Sequence, residues 1–331
     1  HNVERLPQLL IDVMKGRRMI EVCSDQGGII ENLPVRRHQT FKGFVNIAYG
    51  CDKFCTYCIV PYTRGTERSR LEPYILQEVR ELMARGGKEV LLLGQNVNAY
   101  GKDLGLQDGF TELLKHVAET GIARIRFDSS HPRDYSVTTI EAMRRYPNIM
   151  PSLHLAVQSG SDRVLKRMNR GYTAAHYLSL VEQMKAMIPT MTFSTDLIVG
   201  FPQETDADFE ETLKLVDTCR FDQVYSFIYS PREGTPAARM KDDVPLSVKQ
   251  ERLQILNRHI NHWALENNKA YVGKVLEVLC EGPSKKNPDV LAGYSREFKL
   301  VNFHGRNIEA GTIVSVRIDQ AKSFSLDGEA V

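Results

Sequence analysis

The chain has 331 residues, 42% hydrophobic and 25% charged, and its 43 Lys and Arg against 41 Asp and Glu leave a formal charge of only +2. That length favours one large domain plus a small one, and the near balance of charge excludes a protein that grips nucleic acid over its whole surface, so any RNA contact must be local. No apolar run is long enough to cross a bilayer, and the six cysteines do not resemble a disulfide framework in a chain of this size.

The chain opens on His1, not Met, and its first residues read as the tail of an earlier element. With no secretory leader in view, a soluble cytoplasmic protein without a membrane contact is expected. Residues 1–40 are expected to be a linker, with a helix near 4–15 and then a Pro- and Arg-bearing connector. From Phe41 onwards short apolar runs alternate with amphipathic ones. Strands are predicted at 43–48, 88–93, 123–128, 152–157, 192–199 and 223–229, and helices at 72–86, 109–120, 134–145, 174–188 and 205–219. In the first of these helices Ile75, Val79, Leu82 and Met83 share one face, and Gly86-Gly87 stops it. A longer helix, 246–267, closes the series. Repeated βα units build a parallel sheet, and six of them fall short of a full eight-fold barrel. The reading is therefore an α/β domain over 41–267, a TIM-like barrel left partial and open, with its chemistry at the carboxyl ends of the strands. Residues 268–331 change character: strand-like runs at 272–280, 290–294, 298–303, 311–319 and 324–331, separated by turns, predict a small all-β, OB-like barrel of five strands.

Cys51, Cys55 and Cys58 sit in a C-x3-C-x2-C loop just after the first predicted strand. Thiolates suit iron–sulfur clusters, and three ligands for four irons leave one iron open to a small molecule. The plainer readings are three unconnected buried thiols or a structural zinc site completed by His38 or His131, although zinc commonly takes cysteines in two pairs and no second pair exists. Cys23, Cys219 and Cys280 read as small hydrophobes.

That spacing, with an aromatic residue before the last cysteine, matches the radical S-adenosylmethionine enzymes. The run from Gly50 to Arg70, together with Leu93-Gly94-Gln95-Asn96-Val97-Asn98-Ala99-Tyr100-Gly101, resembles their methylthiotransferase branch, in particular the members that modify tRNA. The resemblance runs from about residue 40 to the end and includes a C-terminal RNA-holding TRAM module. It implies a [4Fe–4S] cluster on Cys51, Cys55 and Cys58, bound S-adenosylmethionine, a reducing electron donor, and the tRNA anticodon loop as partner of a monomeric enzyme. The implied reaction places a methylthio group on C2 of an N6-isopentenylated adenosine beside the anticodon, a base that must leave its stack to be reached. It also implies that Tyr57 lies near the cofactor's adenine, that Gly94, Gln95 and Asn96 serve its methionine amino end, and that Ser129, His131, Gln158, Ser159 and Gly160 line its pocket. The segment Gly200-Phe201-Pro202-Gln203-Glu204 resembles a cofactor-side turn of the family, or is simply a strand-to-helix turn with an acidic first-turn residue.

Methylthiotransferases also carry a second [4Fe–4S] cluster on three cysteines of an N-terminal domain. Those ligands are absent here, and Cys23 alone does not replace them. Residues 1–40 then read as the remnant of that domain, and the expected chain binds the radical cluster without being able to insert sulfur. Two alternatives stand beside this one: a radical methylthiotransferase acting on another tRNA adenosine or on a ribosomal protein, and a non-catalytic zinc- and RNA-binding module. Charge gives RNA binding little independent support, since residues 269–331 hold nine Lys and Arg against eight Asp and Glu. Three groups are candidates for phosphate contact: Lys285, Lys286, Arg296, Lys299 and Arg306; Arg163, Lys166, Arg167 and Arg170; and Arg64, Arg68 and Arg70. Each also reads as a solvated face or a local cap.

Overall fold

The computed structural model describes residues 5–20, 28–31, 37 and 39–331. Cys23 and His38, named above as a small hydrophobe and a possible zinc ligand, lie outside them. A short helix α1 (Leu6–Met14) precedes the first strand, β1 (Lys42–Asn46). A two-residue antiparallel ladder follows, β2 (Ala48–Tyr49) with β3 (Arg68–Ser69), and closes the base of the loop that carries the three cysteines together with helix α2 (Val60–Arg64). Next come α3 (Glu72–Ala84), β4 (Glu89–Leu93), α4 (Gly109–Glu119), β5 (Arg124–Phe127), α5 (Val137–Arg145) and β6 (Ser152–His154). The series continues through α6 (Asp162–Arg167), α7 (Ala174–Met187), β7 (Thr192–Val199), α8 (Asp206–Cys219), β8 (Gln223–Ile228) and α9 (Leu246–Lys269).

β1, β4 and β5 pair in parallel, as do β6, β7 and β8. Parallel bridges Ile125 to Ile149 and Ser130 to Leu155 join the two halves. The six strands therefore follow one another in chain order, and among the described residues β1 and β8 are left as free edges. This is the partial βα barrel that the periodicity predicts. Side chains alternate along each strand. Val45, Val90, Leu92, Ile125, Leu153, Phe193 and Leu197 turn outward into a core completed by Ile75, Val79, Leu82, Leu113 and Val216 of the helices, while the intervening residues face the lumen. Gly43 lets α3 approach, since a Cβ there would lie 2.6 Å from the Leu82 side chain. Helix α5 starts later than predicted because Pro132–Asp134 forms a separate 3-10 turn and Ser136 caps the helix, its Oγ accepting from the Thr139 N–H.

After α9, β9 (Val275–Pro283), β10 (Leu291–Ser295), β11 (Leu300–His304), β12 (Ile313–Ala321) and β13 (Leu326–Ala330) close into a barrel of order β10-β11-β13-β12-β9 around Val278, Cys280, Val301, Phe303, Val316 and Ile318. Its β10–β11 turn is pressed against the amino end of the large barrel. Buried Arg124 donates to the Tyr294 carbonyl at 2.8 Å and pairs with Glu277 at 2.9 Å. Arg126 pairs with Glu89 at 2.9 Å, donates to the Ser295 carbonyl at 2.7 Å, and lies 4.7 Å from the centre of the Phe298 ring. Lys299 reaches Asp222 at 2.6 Å, and the Thr192 hydroxyl donates to the Glu297 carbonyl at 2.7 Å. The small domain thus forms the floor of the large one. Among the described residues no helix is long and apolar enough to cross a membrane.

Candidate cluster and cofactor site

The cysteine loop is held by its backbone from four directions. Gly50 has φ +75°, and a Cβ there would sit 1.9 Å from the Thr66 carbonyl oxygen, so only glycine fits. The Gly50 N–H donates to Gln95 Oε1 at 2.6 Å, and the Cys51 N–H donates to the Gly65 carbonyl at 3.0 Å. Thr56 is tied on three sides: its N–H donates to the Met168 carbonyl, its hydroxyl to the Arg167 carbonyl, and its own carbonyl accepts from the Ala237 N–H at 2.8 Å. Asn169 donates to the carbonyl of Phe54, a residue at φ +47°. The Cys58 N–H donates to the Cys55 carbonyl at 2.9 Å, so the two later cysteines share one tight turn.

None of the three thiols is in a disulfide. Burial pushes the Cys51 thiol up to about 11 and raises that of Cys58, and the neighbouring cysteines raise both further. Three thiolates at this place repel one another unless a cation joins them. Among the described residues no three His, Cys, Asp or Glu side chains close on a position for one metal ion. A single zinc would need every donor within about 2.0–2.3 Å of one point, whereas a cluster takes each thiolate on a different iron.

Arg170 lies against these thiols. Its side chain is buried, and Nη1 is 3.3 Å from Cys55 Sγ and 3.4 Å from the Tyr57 hydroxyl, while Nε donates to the Tyr172 hydroxyl at 2.9 Å and Nη2 to the Ala156 carbonyl. Burial works against its charge, but Tyr57, Tyr172 and Cys55 more than offset that, and the guanidinium stays protonated. None of its described hydrogen-bond partners is a carboxylate.

A second group stands where β4 and β5 end. Burial alone would raise the Asp134 carboxyl, but Lys102 at 2.6 Å, Lys53 at 2.5 Å and Asn96 at 2.9 Å hold it well below the usual carboxylate range. Burial, with Arg170 nearby, drives His131 down to about 2, so its ring is neutral. Its Nδ1 accepts from the Arg133 N–H at 3.3 Å, which puts the proton on Nε2. That Nε2, Asn96 Oδ1 and Ser130 Oγ are buried without a hydrogen-bond partner. Buried polar atoms are ordinarily satisfied, so a donor, an acceptor and a hydroxyl left open beside the thiol loop fit a polar cofactor.

The other sequence candidates are distributed unevenly. Tyr57 reaches Arg170 and packs on the apolar cluster of Val164, Met168, Phe201 and Tyr229. Gly94 follows β4, where an added Cβ would meet Val97 and Ala48 at ordinary contact distance, and Gln95 is engaged with the cysteine loop through Gly50. Ser129, at φ +67°, accepts from the Val97 N–H. Gln158, at φ +76°, bridges to β7, its N–H donating to the Asp196 carbonyl at 2.9 Å. Ser159 and Gly160 face α8, where the Ser159 hydroxyl lies 3.3 Å from Thr212 Oγ1 and the Gly160 N–H donates to the same oxygen at 3.0 Å. The Gly200–Glu204 turn is a structural staple: Glu204 accepts from the Gly200 N–H at 2.9 Å and pairs with buried Arg252 at 2.8 Å.

The basic groups are also sorted. Of the second group only Arg170 is internal; Arg163, paired with Asp208, and Lys166 stay exposed, and Arg167 is half-buried. Arg70 is held by Glu31 at 2.6 Å and Glu78 at 2.8 Å, and Arg64 is exposed. In the small domain Arg296 donates to the Pro147 carbonyl and Lys299 is paired with Asp222, leaving Lys285, Lys286 and Arg306 on the surface. Charge reading alone missed Arg170 as a site residue. The signal was its position just past α6, where the chain turns back under the cysteine loop.

Residues 45–216 match the Radical SAM superfamily and residues 269–331 match the TRAM domain. The chain is 55% identical over 333 residues to the tRNA-2-methylthio-N(6)-dimethylallyladenosine synthase of Bacillus subtilis (strain 168), covering 100% of this chain and 65% of that protein. It is also 55% identical to the synthase of the same name from Geobacillus thermodenitrificans, with 99% of this chain and 63% of that protein covered. The chain thus spans a little under two thirds of the length of these curated relatives. Among solved structures, the coproporphyrinogen III oxidase from Escherichia coli, a radical SAM enzyme, aligns with TM-score 0.49 and 17% identity over 78% of this chain and 67% of that one. Membership of the superfamily implies a [4Fe–4S] cluster and S-adenosylmethionine as cofactors. With that match covering more than half of the chain, and three thiols raised on the loop after the first strand of a six-strand βα series, this protein belongs to the radical SAM superfamily.

Proposed function

We propose that Cys51, Cys55 and Cys58 hold the [4Fe–4S] cluster, and that the chain is the radical-generating and RNA-holding part of a tRNA methylthiotransferase acting on C2 of an N6-isopentenylated adenosine in the anticodon loop. The observation that carries the cluster assignment is Arg170. A buried cation needs a counter-charge, and its described partners are a thiol, two phenols and a carbonyl. A cluster ligated by three thiolates is anionic and would supply that charge at Cys55.

When bound, the cluster and S-adenosylmethionine supply a carbon-centred radical able to take hydrogen from an unactivated C–H bond. The protein's own part is binding, orientation and exclusion of water. The His131 Nε2–H is a donor suited to a cofactor carboxylate or ribose oxygen, and Asn96 Oδ1, fixed because Nδ2 already donates to Asp134, is an acceptor suited to an ammonium or hydroxyl. Lys53 and Lys102 keep Asp134 ionised and so keep Asn96 oriented.

Support for tRNA as substrate comes from the names of the relatives and the TRAM match. Lys285, Lys286 and Arg306 are the small-domain cations placed to meet phosphate, with Arg64 beside the cysteine loop.

The test is anaerobic loading with iron and sulfide, followed by S-adenosylmethionine and dithionite. About four irons per chain and formation of 5′-deoxyadenosine are expected. Stoichiometric zinc without iron, or a fully loaded protein that yields no 5′-deoxyadenosine, overturns the proposal.

A further inference from the structure

Strand β1 is one free edge of the large barrel, and its outward carbonyls are met by side chains. On the β4 side the Phe41 carbonyl accepts from the Lys88 N–H, and the Ile47 N–H donates to the Leu93 carbonyl. Residues of the other parity therefore turn their backbone groups to the open edge. There Arg37 Nη1 donates to the Phe44 carbonyl at 3.1 Å, and Arg70 Nη1 donates to the Asn46 carbonyl at 2.8 Å. Two arginines thus occupy the places that the N–H groups of a neighbouring strand would take.

Both arginines are held by carboxylates. Glu78 of α3 receives one on each oxygen, Arg37 Nη2 on Oε1 and Arg70 Nη1 on Oε2, each at 2.8 Å. Glu31 receives the other side of Arg70, with Nη2 at 2.6 Å and Nε at 2.9 Å from its Oε2. The four side chains balance in charge and are only 10% to 18% exposed, so salt screens their attraction little. Arg70 is also the neck of the cysteine loop. Its N–H donates to the Ile47 carbonyl at 2.8 Å, and its own carbonyl accepts from the Tyr100 hydroxyl at 2.8 Å. The chain therefore leaves β1 and returns from the loop at one point, and Cys51, Cys55 and Cys58 all lie between.

We infer that Glu31 is a positioning residue for the cysteine loop: by clamping Arg70 across the β1 edge, the segment ahead of the barrel holds closed the loop that carries the three thiols. A plain linker would turn its charges to water, whereas this carboxylate engages a buried guanidinium 39 residues further on. Pairing of a carboxylate with two nitrogens of one guanidinium fixes direction as well as adding strength. Without Glu31, Arg70 Nε and Nη2 lose their acceptors among the described residues, and Glu78 alone must hold two arginines. The inference concerns the loop itself and is tested on the metal-free chain, so its outcome is independent of what the thiols bind.

The experiment is timed alkylation of the intact, metal-free chain with iodoacetamide, read at each cysteine by mass spectrometry after digestion. Cys55 is buried in the loop, while Cys219 and Cys280 are buried in the large and the small barrel and report the unfolding of each. Glu31→Gln is expected to label Cys55 about tenfold faster, the low end for one charge-assisted hydrogen bond, with Cys219 and Cys280 unchanged. Glu31→Asp, which keeps the charge, should fall between this variant and the parent. Arg70→Met should open the loop at least as far, and adding Glu31→Gln to it should bring no further acceleration, because the carboxylate acts through that guanidinium. Unchanged Cys55 labelling in Glu31→Gln, equal acceleration at all three cysteines, or additive effects of the two substitutions overturns the inference. The Glu31 pair decides by itself should Arg70→Met fail to fold.

Discussion

Replacing Arg170 with methionine isolates the charge that the thiol loop has built around it. In the metal-free chain the loss is moderate. The Ala156 carbonyl keeps a contact with the Tyr172 hydroxyl at 3.3 Å, and that hydroxyl also reaches the Val157 carbonyl at 2.9 Å, so few polar atoms are stranded and a cost of about 1–3 kcal/mol is expected. The loaded protein should lose more. A unit charge 3.3 Å from a thiolate sulfur, the Arg170 Nη1 to Cys55 Sγ distance, interacts by about 5 kcal/mol at an effective dielectric constant of ~20. That is an upper value, because a ligated sulfur shares its charge with the cluster. Even half of it corresponds to a fall of nearly a hundredfold in cluster affinity. Removing a cation beside the cluster also disfavours adding an electron, and each tenfold change in that one-electron equilibrium is about 59 mV. Anaerobic reconstitution followed by iron analysis and a redox titration should therefore show Arg170→Met with less iron and a potential lower by on the order of 100 mV, and Arg170→Lys between it and the parent. A folded Arg170→Met chain with full iron and an unshifted potential would show that the guanidinium is only a brace for Ala156 and Tyr172.

Three further predictions use the same structure. Gly50→Ala forces a Cβ to within 1.9 Å of the Thr66 carbonyl oxygen at a positive φ, so the loop must shift; urea unfolding should report a loss of about 1–3 kcal/mol, and iron retention should fall with it. Glu89→Gln leaves Arg126 and Lys42, at 2.9 Å and 3.3 Å from its carboxylate, without their shared counter-charge at the junction of the two domains; denaturant unfolding should show about 3–5 kcal/mol lost, and limited proteolysis should release the small domain more readily. His131 has a folded pKa of about 2, below its unfolded value of about 6.5, so the unfolded chain binds the extra proton between those limits. Its contribution is complete above pH ~6.5 and declines as the pH falls below it, by up to about 1.4 kcal/mol per pH unit; urea midpoints taken at pH 7 and pH 5 should diverge, and His131→Asn should narrow the gap.

Much of the fold is legible because local chemistry repeats. Apolar residues two apart in the strands and three or four apart in α3 follow from which face meets the core, and that alone gives six βα units and a five-stranded terminal barrel. The cysteine loop is legible for the same reason, since three thiols within eight residues need no tertiary contact to be recognised as one group. The parts that stay hidden are those in which the partner is far along the chain. Arg124 and Glu277 are 153 residues apart, and Arg126 and the Ser295 carbonyl are 169 apart, so a charged residue inside a strand gives no sign that it receives a turn from the other domain. Cys55 and Arg170 are separated by 115 residues, and composition places that arginine on a surface helix. The cofactor roles of Gln95 and Ser159 are implied only by the family resemblance; in the structure Gln95 Oε1 accepts from the Gly50 N–H and the Ser159 hydroxyl lies 3.3 Å from Thr212 Oγ1. The sequence by itself decided where strands, helices and the three clustered thiols lie, because each depends on near neighbours; only the closed chain decided which cation faces the thiols and what floors the lumen, because a side chain's counter-charge and cover are set by packing between distant segments.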